Sequence, residues 1–222
     1  MREHYHEQLA TITSQLVQMA RMAESAMERA TRALLEADLA LAESVISDDG
    51  KLDALSRQVE EASISLVALQ QPVASELRTL IGAIRMSATL ERMGDLAQHV
   101  AKQARMRHPN SSIPTELRAT FSMMGAIAVS IIQKVAAVLE TRNLAIAADV
   151  ASADEAMDRM HRELFTTVLS PAWSHGVEAA IDVTLLSRYY ERFADHAVSI
   201  ARRVAYIVTG EMPSRGELAE NA

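Results

Sequence analysis

Four pairs of acidic residues, each pair spaced four positions apart, are the residues of this chain best suited to chemistry. The pairs are Asp49 and Asp53, Glu91 and Asp95, Asp154 and Asp158, and Glu191 and Asp195. On a helix this spacing puts both carboxylates of a pair on one face, with Cβ atoms about 6 Å apart. Like charges at that distance repel unless a cation joins them, and hard cations prefer oxygen ligands. The pairs therefore predict metal binding, with Fe, Zn, Mn or Mg as candidate divalent or trivalent ions.

A purely structural interpretation of the same residues stays open. Acidic pairs at this spacing also occur on solvated helix faces, where Arg92 and Arg192 can pair with nearby acids. Such surface ion pairs contribute about 0.5 kcal/mol each. The residues alone support the metal site and the ion-pair network equally.

The composition narrows the fold and the function that can surround these acids. Of the 222 residues, 49% are hydrophobic and only 4% aromatic, with 7 Gly and 5 Pro, which favours helices and excludes an all-β fold. The absence of Cys excludes disulfides, thiolate zinc sites and Cys nucleophiles. A net charge of -7 argues against nucleic acid as a partner. No glycine-rich phosphate loop and no nucleophile–base motif is present, so we expect a protein that is not an enzyme.

The spacing of apolar residues predicts six helices in two sets of three. They cover about residues 5–45, 52–69, 74–105, 117–138, 152–169 and 177–208. A turn at Ser47–Gly50 separates the first two, and a capping-box pattern at Ser152–Glu155 opens the fifth. Pro109 and Pro114 mark a linker between the sets.

The two sets also resemble each other in sequence. Residues 90–97 align with residues 190–197, and residues 49–55 align with residues 154–160. This duplication predicts an all-α fold of two tandem, pseudo-symmetric three-helix bundles with six long antiparallel helices. If the second and third helices of each bundle are neighbours, their acidic pairs face each other.

The predicted organisation is a first bundle at residues 1–108, a linker at 109–114, a second bundle at 115–210 and a flexible tail at 211–222. No signal peptide and no apolar run near the ~20 residues that span a bilayer are visible. We therefore expect a cytoplasmic protein without a transmembrane segment.

The two Glu-Arg-x-x-Asp blocks, at 91–95 and 191–195, resemble the paired signatures of the PhoU family of bacterial phosphate-transport accessory and regulatory proteins. The Asp-x-x-x-Asp patterns at 49 and 154 support the resemblance, which extends from about residue 3 to 210 and is nearest to the actinobacterial branch. It implies a homodimer without catalytic activity. It also implies a cytoplasmic negative regulator of the phosphate-starvation response, held at the inner face of the membrane through its partners. Those partners are the ATPase subunit of the phosphate ABC transporter and a membrane sensor histidine kinase.

The resemblance also implies a metal-ligand set, because some members of the family carry multinuclear metal clusters on the acidic motifs of the third and sixth helices. By position these ligands are Glu91, Asp95, Glu191 and Asp195, with Asp49, Asp53, Asp154 and Asp158 as the matching acids of the second and fifth helices. Asn143 stands where the first half has Asp38, and the fifth helix is the shorter one, so we expect the two sites to differ in nuclearity or affinity. A carboxylate-bridged metal enzyme and a plain helical scaffold without a ligand remain the alternatives.

Overall fold

The structure, a computed structural model that describes residues 2–220, is all-α. Its helices are α1 (Arg2–Glu36), α2 (Leu39–Gln70), α3 (Ala74–Arg107), α4 (Arg118–Thr141), α5 (Leu144–Val168), α6 (Gly176–Thr209) and α7 (Arg215–Glu220). A single 3₁₀ turn at Thr115–Leu117 precedes α4. The predicted fold class is confirmed, with three long helices on either side of the residues predicted as a linker.

The break between α1 and α2 lies nine residues before the predicted end of the first helix, so the predicted helix at 5–45 is wrong. Ala37 adopts a left-handed conformation with φ 53°, and the Asp38 carboxylate accepts a hydrogen bond from the Leu41 backbone N–H at 2.9 Å. An aspartate in this position satisfies one of the free N–H groups at a helix start. The predicted turn at Ser47–Gly50 lies inside α2 instead, where no atom crowds Gly50.

A similar N-cap starts α5, which begins at Leu144, eight residues before the predicted start at 152. Arg142 is left-handed with φ 56°, and the Asn143 side chain accepts from the Ala145 N–H at 2.9 Å. Asn143 and Asp38 are therefore matching N-caps. The exchange of Asp for Asn between these two positions therefore does not involve the metal ligands. It gives no support to the expectation that the two metal sites differ.

Helix α4 is apolar because it lies in the middle of the bundle. It packs against α1, α5 and α6. Contrary to expectation, the segment Thr115–Thr141 is by length and hydropathy able to cross a membrane, although half of its most apolar 18-residue window is buried inside the protein. Burial in the core accounts for its composition, since core helices are apolar on most sides.

The two halves share one hydrophobic core. The Tyr190 hydroxyl on α6 lies 2.8 Å from the Thr31 hydroxyl on α1, and the rings of Tyr190 and Phe121 are 6.1 Å apart. A methyl group at Gly125 would lie 2.4 Å from Cγ2 of Thr31, so only glycine lets α4 approach α1 this closely. The halves are consequently joined through α1, α4 and α6 as well as through the linker.

A second connection joins the end of α3 to the start of α6. Arg107 donates from Nε to Asp182 Oδ2 at 2.7 Å and from Nη2 to Asp182 Oδ1 at 3.0 Å, and it also pairs with Glu178. A two-point arginine–carboxylate contact fixes geometry as well as distance. Helices α3 and α6 thus run antiparallel, and the contact fixes their two acidic motifs relative to each other.

Candidate metal centres

The first acidic cluster, which we define as Asp49, Asp53, Glu91 and Asp95, forms where α2 packs on α3. Burial, with the charges of Asp53 and Asp95 as the next causes, raises the pKa of Asp49 to about 6. Burial also raises the pKa of Glu91, with the charges of Asp95, Asp53 and Asp49 acting in the same direction. The structure therefore brings together, in one mutually repelling group, the acids that the sequence places on two helices.

Gly94 explains why the two helices come so close at this point. A methyl group on Gly94 would lie 2.4 Å from Cδ2 of Leu52 and 3.4 Å from Oδ1 of Asp49. The missing side chain, between Glu91 and Asp95 in the sequence, lets α2 lie directly against the acidic motif of α3. The glycine of the Glu-Arg-Met-Gly-Asp block is thus a packing residue that sets the separation of the carboxylates.

The polar contacts of the first cluster leave most of its charge unbalanced. Gln98 donates from Nε2 to Asp49 Oδ2 at 2.7 Å, and Lys102 bonds to Gln98 Oε1. Lys102 lowers the pKa of Asp49, but by less than burial and the neighbouring acids raise it. Within residues 5–219, whose side chains the structure describes, no lysine or arginine forms an ion pair with these four carboxylates. An added cation would relieve this repulsion.

Asp49→Asn is expected to stabilise the metal-free chain by about 1 kcal/mol at about pH 8. The full shift corresponds to about 3 kcal/mol, which partial exposure to solvent reduces. Because the folded pKa lies above the unfolded value, the cost of the charge is absent below about pH 4 and complete above about pH 6. Chemical denaturation of both proteins in the presence of a chelator measures this. The free energy of unfolding should be higher for Asp49→Asn at pH 8, and the difference should disappear towards pH 4.

Asp48→Asn is the control for this effect, because it removes the neighbouring acid outside the cluster. Hydrogen bonds from Lys51 and Arg29 lower the pKa of Asp48, so its charge is favourable and its removal should give no gain at about pH 8. Equal stability of Asp49→Asn and the parent at pH 8 would contradict the proposed repulsion.

The second acidic cluster, Asp154, Asp158, Glu191 and Asp195, forms in the same way where α5 packs on α6. Asp154 is fully buried and Glu191 is 8% exposed. Burial raises the pKa of Glu191, with Asp195 as the next cause, and burial raises the pKa of Asp195, with Asp158 as the next cause. The duplication predicted from sequence thus places both clusters at equivalent helix pairs.

The second cluster differs from the first because it contains arginine. Arg215, on α7, forms ion pairs with Asp154, with Asp158 at 3.1 Å and with Asp195 at 3.5 Å. Arg188 pairs with Glu191. Sequence reasoning missed Arg215 because it assigned residues 211–222 to a flexible tail. One signal was present: Ser214 and Glu217 have capping-box spacing, and each side chain accepts a hydrogen bond from the other residue's backbone N–H.

The chemistry of the donors fits a hard metal ion better in the first cluster than in the second. All eight residues offer oxygen. Among the described side chains, none donates a hydrogen bond to either buried oxygen of Asp154 or to Oε2 of Glu191. In the second cluster, however, Arg215 already lies on three of the four carboxylates. Among the residues that the structure describes, no three His, Asp or Glu side chains stand in a ready metal-binding arrangement, so a bound ion would require the carboxylates to move closer.

The histidines near the acidic motifs pack against other groups. The His99 ring stacks on the Tyr189 ring at 5.2 Å, between α3 and α6. His161 Nδ1 lies 2.9 Å from the Ser187 hydroxyl, and burial lowers the pKa of His196. Imidazole is therefore a structural group in these places, and the candidate ligands are carboxylates.

Comparison with known proteins agrees with this architecture. The model of the PhoU domain matches residues 16–104 and again residues 121–204. The chain is 51% identical over 213 residues to the phosphate-specific transport system accessory protein PhoU homolog 2 of Mycobacterium tuberculosis, covering 96% of this chain and 100% of that protein. It is 33% identical to the PhoU homolog of Rhizobium meliloti, covering 94% of this chain and 89% of that protein.

Two crystal structures have the same fold. PhoU from Pseudomonas aeruginosa superposes with a TM-score of 0.82 at 27% identity, covering 93% of this chain and all of that one. The regulatory protein PhoU from Streptococcus pneumoniae superposes with a TM-score of 0.86 at 23% identity, covering 95% and 99%. With two family domains across the six helices and a relative that shares half of its residues, the chain belongs to the PhoU family, a family of regulatory and accessory proteins rather than enzymes.

Proposed function

We propose that this protein is a cytoplasmic negative regulator of phosphate uptake and of the phosphate-starvation response. The observation that carries the proposal is the 51% identity, over nearly the whole length of both chains, to a phosphate-specific transport system accessory protein. The protein acts as a non-catalytic adaptor between the ATPase subunit of the phosphate ABC transporter and the membrane sensor histidine kinase. It works as a homodimer and reaches the inner face of the membrane through these partners.

We assign the metal a structural role in this adaptor. A cation between α2 and α3 would balance the four carboxylates of the first cluster and fix the separation of the two helices. Asp49 and Asp53 would hold it from one side, and Glu91 and Asp95 from the other. The ion supplies positive charge and preferred coordination geometry, so it changes the rigidity of a surface that partners contact.

Gene deletion tests the proposal. Every gene of this family is deleted in the host, so that no related gene compensates, and the strain is grown in phosphate-rich medium. Expression of phosphate-scavenging genes should rise to the level seen in starvation, and returning this gene alone should restore repression. Unchanged expression in the deletion strain, or derepression that this gene does not reverse, would overturn the proposal.

A further inference from the structure

Three contacts fix the C-terminal segment that carries α7 to the second half of the protein. Arg202 Nε donates to the Pro213 carbonyl at 2.7 Å, Leu218 is buried in the common core, and Arg215 reaches the acids of α5 and α6. The helix has only six residues, too few to persist on its own in water. Its conformation therefore depends on these contacts.

The contact of Arg215 is unusual because one guanidinium meets three carboxylates from two helices. Its side chain is 40% exposed, whereas Asp154, one of its partners, is fully buried. A guanidinium carries one positive charge and a planar set of donors that suits several carboxylates at once. It therefore occupies the same oxygen atoms that a metal ion would use in the second cluster.

The first cluster has no such arginine, although its four acids occupy equivalent positions. Among the side chains that the structure describes, residues 5–219, none of its carboxylates has an ion pair with arginine or lysine. The duplicated halves thus differ in the arginines that meet their acids. Arg188 lies within the second repeat and pairs with Glu191 alone of the four, whereas Arg215 meets the other three carboxylates and belongs to a segment that follows the repeat.

We propose that Arg215 is the internal cation of the second cluster and that α7 is a latch which a divalent cation opens. An ion held by Asp154, Asp158 and Asp195 would displace the guanidinium and release α7 from α5. The first cluster takes its ion without this competition. When a binding-competent state is only partly populated, apparent affinity falls by that fraction, so the latch weakens cation binding at the second cluster alone.

Manganese binding tests the latch in a full-length protein in which Glu91→Ala and Asp95→Ala disable the first cluster. Arg215→Ala is added to this background in one protein and Arg159→Ala in another. Arg159 is the matched control, because it lies on α5, is exposed and pairs with Glu155 at 3.9 Å, outside the cluster. Calorimetric titration with Mn²⁺ should show affinity about tenfold or more tighter for Arg215→Ala, and no change for Arg159→Ala.

Hydrogen exchange supplies a readout that does not depend on the Arg215 variant. In the Arg159→Ala control, saturating Mn²⁺ should speed exchange of the amides in residues 215–220, which α7 protects when docked. Equal Mn²⁺ affinity in the two proteins, no binding in either, or unchanged exchange at saturation would each overturn the latch. The assay uses no phosphate-dependent readout, so its failure would leave the proposed regulatory function standing.

Discussion

Alanine at both Glu91 and Asp95 is expected to weaken Mn²⁺ binding at the first cluster by about a hundredfold or more. The change removes both ligands that α3 contributes and leaves only the two carboxylates of α2. Loss of a group that merely orients a ligand already costs 10–100-fold in metal affinity, so loss of two ligands should cost at least as much. Calorimetric titration of the otherwise unchanged chain measures the effect, since Arg215 keeps the second cluster weak.

Glu60→Ala combined with Glu61→Ala is the matched control for this change. Both residues are exposed on α2, outside the cluster, and their replacement removes the same total charge. The control should keep the affinity of the parent protein, because general attraction of Mn²⁺ to a negative surface is weak and screened by salt. Similar losses in the two variants would show that only overall charge is involved and would remove the claim of a specific site.

Tyr190→Ala is expected to have the largest effect on stability, a loss of about 3–5 kcal/mol in the free energy of unfolding. The ring is fully buried between the halves, next to Phe121, and its removal leaves a cavity that neighbouring helices fill only in part. Tyr190→Phe keeps the ring and removes only the bond to the Thr31 hydroxyl, so it should cost about 1 kcal/mol.

Denaturant unfolding followed by two probes measures this loss and also tests whether the halves are independent. Circular dichroism reports all helices, and the fluorescence of Trp173 reports the second half, since the chain has one tryptophan. If the two halves share one core, the unfolding midpoints reported by the two probes shift together in Tyr190→Ala. A loss below about 1 kcal/mol, or a shift in the fluorescence alone, would contradict the shared core.

The sequence predicts the fold well where a repeating pattern determines it. Periodic apolar residues place α3 and α6 almost at their observed bounds, and the duplicated Glu-Arg-x-x-Asp blocks indicate that each half is built alike. The starts of α2 and α5 escaped prediction because each depends on one capping side chain, Asp38 or Asn143. An N-cap is worth about 1 kcal/mol, and the helical pattern continues on both sides of it.

The candidate site, like the fold, is predicted by the sequence only in part. Spacing of four residues on neighbouring helices is a local property, so the sequence predicts which carboxylates come together. The packing role of Gly94 and the position of Arg215 depend on contacts between residues far apart in the sequence, such as Gly94 with Leu52 or Arg215 with Asp158. Such contacts follow from packing, and no local pattern in one sequence encodes them.

Crystals grown with Mn²⁺ test the central claim most directly, because anomalous scattering locates the ion without assumptions about the ligands. The account predicts a peak between α2 and α3, within coordination distance of carboxylate oxygens from both Glu91 and Asp95 and from at least one acid of α2. A peak that touches the acids of only one helix, or crystals with Mn²⁺ elsewhere and none between these helices, would contradict it.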